Sequence, residues 1–314
     1  MRIENLIPLG VIPGPNTPNA LDSFLIPFIN ECIELARGVR MYDAQAGESF
    51  DLHAYLLMAF GDLPAMSKLL CLKGVNGFSP CRFCLIHGER NLGASRVSRN
   101  YYVALHGPIR ADNSVASSWD PRNLPKRTLE NFYEQLHEIE ACSTVTQRND
   151  LKMLYGINGK STLLQIPSII FPLSFPHDIM HLFFENICPM LVAHWTGTGR
   201  YKDQEPADPG YRLAPHIWEQ IGIETAAAYH TIPSDFVGAM PDICKSKYKA
   251  EYWSFWTIHL APILLQRRFP NDKYYRHFCL LVDIIKLCLQ FTITDREIYE
   301  LQQLIIEWVE TYER

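Results

Sequence analysis

Apolar positions change their spacing along this chain, and the change divides it. Residues 4–12, ENLIPLGVI, read as a strand that ends in the breaker run PGPNTPN. Leu21, Phe24, Leu25, Phe28, Ile29, Cys32 and Ile33 then fall at helical spacing, with a stop near Gly38 and a kink or first turn at Pro27. Residues 49–60, SFDLHAYLLMAF, are apolar on both alternating faces, the pattern of a central strand in a covered sheet. Pro64 is placed to open the next helix and Gly74 to close it. The first 88 residues thus read strand–helix–strand–helix–knuckle, an α/β pattern.

Beyond them the periodicity turns helical. Residues 127–142 and 146–155 read as helices, and GKSTLLQIPSIIFPLSFP as an extended, proline-punctuated stretch. Helical spacing then runs over 178–195, 216–229, 247–268, 272–291 and 295–313, the last opened by a capping box from Thr294 to Glu297. The expected domains are 1–88, a connection over 89–175, and a helical region over 176–314. No repeat or low-complexity tract interrupts them.

Composition narrows the classes. With 314 residues, 47% of them hydrophobic and 20% charged, the chain has an ordinary globular balance. The most apolar run, LLVDIIKLCLQF, carries Asp283 and Lys286, so no membrane span is expected. The N-terminus lacks a signal-peptide design, which points to an intracellular, reducing compartment. There the nine cysteines are expected as thiols, a close pair being a metal clip sooner than a disulfide. Net charge is −5, which weighs against a chain that wraps nucleic acid. Yet Arg90, Arg96, Arg99, Arg110, Arg122, Lys126 and Arg127 face only Asp112 and Asp120 over 90–127, leaving −10 elsewhere. That segment reads as a solvated loop or, more sharply, as an arm that tracks DNA phosphates.

Three constellations could carry chemistry. Asp62, just past the 49–60 run, is either the cap of the next helix or a carboxylate at a strand end, where α/β sheets place ligands. Cys81 and Cys84, in NGFSPCRFC, have zinc-knuckle spacing but need two more donors. His87 is one option; His177 and His181 of HDIMH, i and i+4 at a helix start, are others. Two reduced cysteines without metal is the plain alternative. HDIMH also approaches the His-Glu-x-x-His helix of zinc hydrolases, with the shorter Asp where Glu belongs. GINGKST lacks the first glycine of a phosphate loop, and no nucleophile elbow or dinucleotide fingerprint occurs.

Several long stretches agree, in order, with one family. ENLIPLGVIPGPNTPNALDSFLIPF, AYLLMAFGDLPAMSKLLCLKGVNGFSPCRFC, GKSTLLQIPSIIFPLSFPHDIMHLFFENI and HWTG resemble the CACTA-type (En/Spm) DNA transposases, in the lineage abundant in fungal genomes. The resemblance implies a ribonuclease-H-like core with an Asp-Asp-Glu triad holding two Mg²⁺ or Mn²⁺ ions for strand cleavage and transfer. It makes Asp62, in Gly61-Asp62-Leu63-Pro64-Ala65, the second Asp of that triad. It makes Cys81 and Cys84 the knuckle that follows, with Zn²⁺ as the metal. It further implies transposon-end DNA as partner and a nuclear location, and leaves a homo-oligomer open.

The departures shape the expectation. The family's first Asp would lie upstream of Met1, and its final Glu and a His pair beyond Arg314. Asp22, Asp43, Asp51 and Glu185 lack the matching context. The expectation is a truncated or internal portion: a partial ribonuclease-H-like core, its third and fourth strands at 4–12 and 49–60, plus a large helical insertion, and catalytically incomplete. The alternatives are a zinc-stabilised, non-catalytic DNA- or protein-interaction module and a His-Asp-x-x-His metallohydrolase.

Overall fold

The computed structural model describes residues 6–11, 14, 18, 20–90, 101–102, 105, 118–199, 209–233, 235–236 and 238–314. It contains two compact units. The first comprises residues 1–119 with 123–177, the second 120–122 with 178–314.

The first unit begins with helix α1, Asp22–Arg37, which carries Pro27 and ends at Gly38 with φ 103°. That positive φ is a conformation glycine adopts without steric cost. A hairpin follows, β1 (Val39–Asp43) against β2 (Glu48–Leu52), in antiparallel register from Val39↔Leu52 to Asp43↔Glu48. Strand β1 has no counterpart in the sequence expectation, because its two alternating apolar residues, Val39 and Met41, make too short a pattern to mark a strand by themselves. The run expected as a strand over 49–60 is paired only to Leu52. Over 53–60 it has no regular structure and no partner strand among the described residues, and is tied through Ala54 N–H to the Leu35 carbonyl, Ala59 N–H to that of Ser174, and the Leu56 carbonyl to Ser168 Oγ. The described part of the other expected strand, 6–11, has no regular structure. Apolar alternation without a neighbouring strand leaves the backbone unladdered.

Helix α2, Leu63–Leu69, starts at Asp62 and ends before Gly74, which instead opens a short 3₁₀ turn, Gly74–Asn76. A two-residue pair, β3 (Glu89–Arg90) with β4 (Tyr101–Tyr102), precedes α3 (Leu129–Ala141) and α4 (Val145–Tyr155). Within the 160–177 stretch, Thr162–Gln165 closes into a 3₁₀ turn. Ile29, Met66, Leu70, Phe132, Ile157, Ile166 and Phe175 form the interior of this unit.

The second unit is helical. Met180–Ile187 is a π-helical stretch that runs into α5, Cys188–Thr196. Helix α6 spans Pro215–Ala228, and α7 (Ala250–Phe255) passes through a π turn, Trp256–Leu260, into α8 (Ala261–Leu264). Helices α9 (Asp272–Cys288) and α10 (Asp295–Glu313) follow. Thr294 Oγ1 accepts the Glu297 N–H while the Glu297 carboxylate accepts the Thr294 N–H, so the capping box is formed as its sequence demands. Trp195, Ile221, Trp256, Phe278 and Ile285 fill the core. No described helix is long and apolar enough to cross a membrane.

Candidate functional site

Asp62 stands where an extended segment meets a helix. Its Oδ1 accepts the Ala65 N–H at 2.6 Å, and Pro64 occupies the first turn, where a missing N–H costs nothing. The carboxylate is therefore a helix cap in this structure. The other acids weighed above are likewise engaged nearby. Asp22 accepts from Thr162 Oγ1 at 2.9 Å, Asp43 closes the β1–β2 turn by accepting from Gln45 and Ala46, and Asp51 pairs with Arg40 at 3.3 Å. Among the described residues no group of three His, Cys, Asp or Glu side chains gathers to hold an ion.

The knuckle is built differently from a bare pair of thiols. Segment 83–85 lies beside 125–127: the Phe83 carbonyl accepts the Arg127 N–H at 2.9 Å, and Leu85 N–H donates to the Pro125 carbonyl at 2.8 Å. This pairing draws two arginines inside. Arg82, between the cysteines, is 5% exposed, and Arg127 2%. Arg82 donates to the carbonyls of Phe175 and Pro176, each at 2.7 Å. Those carbonyls belong to a proline-rich run that has acceptors in excess of N–H donors. Arg127 donates to the Cys81 carbonyl at 3.1 Å and to that of Tyr155, the last residue of α4, at 3.0 Å. A cation at a helix C-terminus also meets the negative end of its dipole. Gly156 follows in the left-handed region (φ 68°), and a Cβ there would collide with the Ser79 carbonyl oxygen.

Neither arginine has a carboxylate partner among the described ion pairs, and both lie beside the two thiols. Cys81 is pushed down to about 6: the Cys84 thiol hydrogen-bonds to it, the backbone N–H groups of Phe83 and Cys84 add to this, and the Arg127 charge helps, against the cost of burial. Cys84 moves the other way, held protonated by its bond to Cys81 and then by burial. Burial lowers both guanidinium pKa values, and the Cys81 charge opposes that.

The remaining candidates do not complete a tetrahedral zinc site. His87 Nδ1 lies 2.9 Å from Ser79 Oγ, with its ring stacked on Phe78 and edge-on to Trp119. His177 lies against Phe83, with centroids 5.1 Å apart; burial and then the Arg82 charge lower its pKa to about 4, although part of the residue stays at the surface. His177 precedes the helical stretch that starts at Ile179–Met180, and it belongs to the first unit while His181 belongs to the second. The expected i, i+4 pair on one helix face is therefore not formed. His181 Nδ1 instead lies 2.8 Å from Asp178 Oδ2, and its Nε2 3.7 Å from Glu185. The same break removes the basis of a His-Asp-x-x-His hydrolase helix. The donors present, two cysteines without a gathered third ligand, do not fit four-coordinate zinc, and Asp62 alone does not fit a two-metal centre.

The basic run also separates. Arg96, Arg99 and Arg110 lie outside the described residues, as does the Arg90 side chain. Arg122, in the second unit, pairs with Glu310 at 2.6 Å, and Lys126 is exposed. Buried Arg127 is a structural cation, not a phosphate contact. Sequence reasoning passed over Arg82, whose position inside the Cys-x-x-Cys loop was its one signal.

The segment that holds the capped carboxylate and the knuckle is similar to one known family. Residues 1–138 match the model of the transposase family tnp2. The match covers Gly61–Ala65 and Cys81–Cys84, and ends near the C-terminus of α3. Residues 1–138, less than half of the chain, are thus similar to the transposase family tnp2. No curated protein and no solved structure matches the chain.

Proposed function

We propose that the chain is a transposase-derived protein of the CACTA (En/Spm) type, in the fungal lineage, that engages DNA and does not by itself cut or join strands. The observation that carries this reading is the tnp2 match over residues 1–138, which takes in both Asp62 and the Cys81–Cys84 knuckle. A ribonuclease-H-like origin for residues 1–88 and a nuclear location belong to the same reading. Strand cleavage by this chemistry needs several carboxylates around divalent ions. Here the Asp62 carboxylate serves the α2 N-terminus, and no other described acid joins it.

The knuckle supports a second role for the same region, as a non-catalytic interaction module. Its two buried guanidiniums fix the 77–88 loop against α4 and the proline-rich run. The test is a pair of assays on the full chain with a duplex carrying a transposon end. Gel-shift binding should occur and weaken as salt is raised, with no nicking in Mg²⁺ or Mn²⁺. Nicking that Asp62→Ala abolishes would overturn the non-catalytic reading. Absence of binding at low salt would overturn the DNA reading.

A further inference from the structure

The β1–β2 hairpin carries an uncovered apolar face. Directly opposed residues share a face and successive residues alternate, so Val39, Met41 and Asp43 lie with Leu52, Phe50 and Glu48 on one side. Arg40, Tyr42, Ser49 and Asp51 occupy the other, where Arg40 and Asp51 pair. On the first side Met41 is 44% exposed, Phe50 42% and Leu52 37%. Among the described residues none of them belongs to the interior of the first unit, and no other helix or strand covers the hairpin substantially. An isolated two-stranded hairpin is marginal in water unless further strands or a helix cover its apolar face.

We propose that this face binds the same face of a second copy of the chain, giving a two-layer, two-fold-symmetric contact. Charge argues for a copy over an unrelated apolar partner. At the turn end, Asp43 and Glu48 sit directly opposite one another, a like-charge pair that repels. Asp43 is partly relieved by the turn N–H groups of Gln45 and Ala46. At the open end the chain continues from exposed Arg37, with Glu34 a turn behind it on α1. Packing two hairpins face to face about a two-fold axis, strands running in opposite senses, sets the acidic turn of each beside the Arg37 end of the other. The two apolar rows then cross over, Val39 and Leu52 of one copy against Met41 and Phe50 of the other, about 10 Å apart, layer to layer.

Sedimentation velocity of the full chain from about 1 to 100 µM reads this directly. The expected result is a monomer–dimer equilibrium whose dissociation constant rises at least ~30-fold in Phe50→Glu and in Met41→Lys, since each buries an unpaired charge. Tyr42→Glu, on the opposite face, should dimerise like the parent. Arg37→Glu and Glu48→Arg should each weaken the dimer, and the double swap should recover affinity over either single. A monomer at every concentration, a dimer untouched by Phe50→Glu and Met41→Lys, or a double swap no tighter than the singles would overturn the proposal.

Discussion

The two units bury their interiors by different means. In the helical unit the aromatic rings do most of the filling: Trp195 meets Phe269 and Phe278 edge to face at 5.2 and 5.4 Å, and Trp256 lies 1% exposed with its Nε1 bonded to Thr225. Helices satisfy their own backbone, so an apolar stripe is enough to dock them. The first unit has long irregular stretches whose carbonyls find no ladder. There the donors come from side chains: Arg82 and Arg127 between them serve four carbonyls, Ser161 Oγ serves Leu69, and Asn158 serves Leu72. Segments without regular hydrogen bonding need such donors, because a buried unpaired carbonyl costs about 1–3 kcal/mol. The contrast explains why, among the described residues, the arginines that are buried as whole residues, Arg82 and Arg127, lie in the unit with long irregular stretches.

That contrast can be broken at its two centres. Trp256→Ala should cost the second unit about 3–5 kcal/mol, through lost burial, a cavity and an orphaned Thr225 hydroxyl, seen as a large drop in its melting midpoint. Arg127→Ala should cost the first unit about 2–4 kcal/mol in denaturant unfolding. Arg127→Lys should recover little of it, because one ammonium cannot replace the guanidinium fork. Lys126→Ala, one residue away and exposed, should stay within about 0.5 kcal/mol. If Arg127→Ala is as mild as Lys126→Ala, the first unit does not depend on its interior cations.

Smaller effects sharpen the picture. Cys81 alkylation in the native protein should follow a thiolate that forms with a midpoint near pH 6 and is lost as pH falls through that value. In the unfolded chain the midpoint should return to the ordinary thiol range, above pH 8. Equal midpoints would show that the Cys84 bond and the Arg127 charge do not act on it. Asp62→Ala should cost about 1 kcal/mol through the lost α2 cap, with Asp62→Asn nearly silent. A loss in Asp62→Asn as large as in Asp62→Ala would mean the charge, not the cap, is what the site uses.

What could be read from residues alone follows the same division. Helices α9 and α10, with the Thr294–Glu297 box, lie close to their expected bounds because local periodicity and capping decide them. The cap role of Asp62 was legible from Pro64 two residues on. The run 53–60 was not, since its strand pattern is real but a strand exists only beside another strand. The interior position of Arg127 was hidden for a related reason: the carbonyls that hold it come from residues 81 and 155, distant in sequence. His177 misled because HDIMH has helical spacing, while the helical stretch begins only after Asp178.

Native-state hydrogen exchange, followed by mass spectrometry at a protein concentration low enough to keep the chain monomeric, tests the contrast between the units most directly. The account predicts strong protection of amides in α5 and α9, whose backbone bonds lie in a packed aromatic core, and rapid exchange over residues 53–60, where only Ala54 and Ala59 have backbone acceptors. Exchange across 53–60 as slow as in α9 would contradict it, for it would mean that this apolar run is paired in a sheet and that the first unit does not rest on side-chain donors.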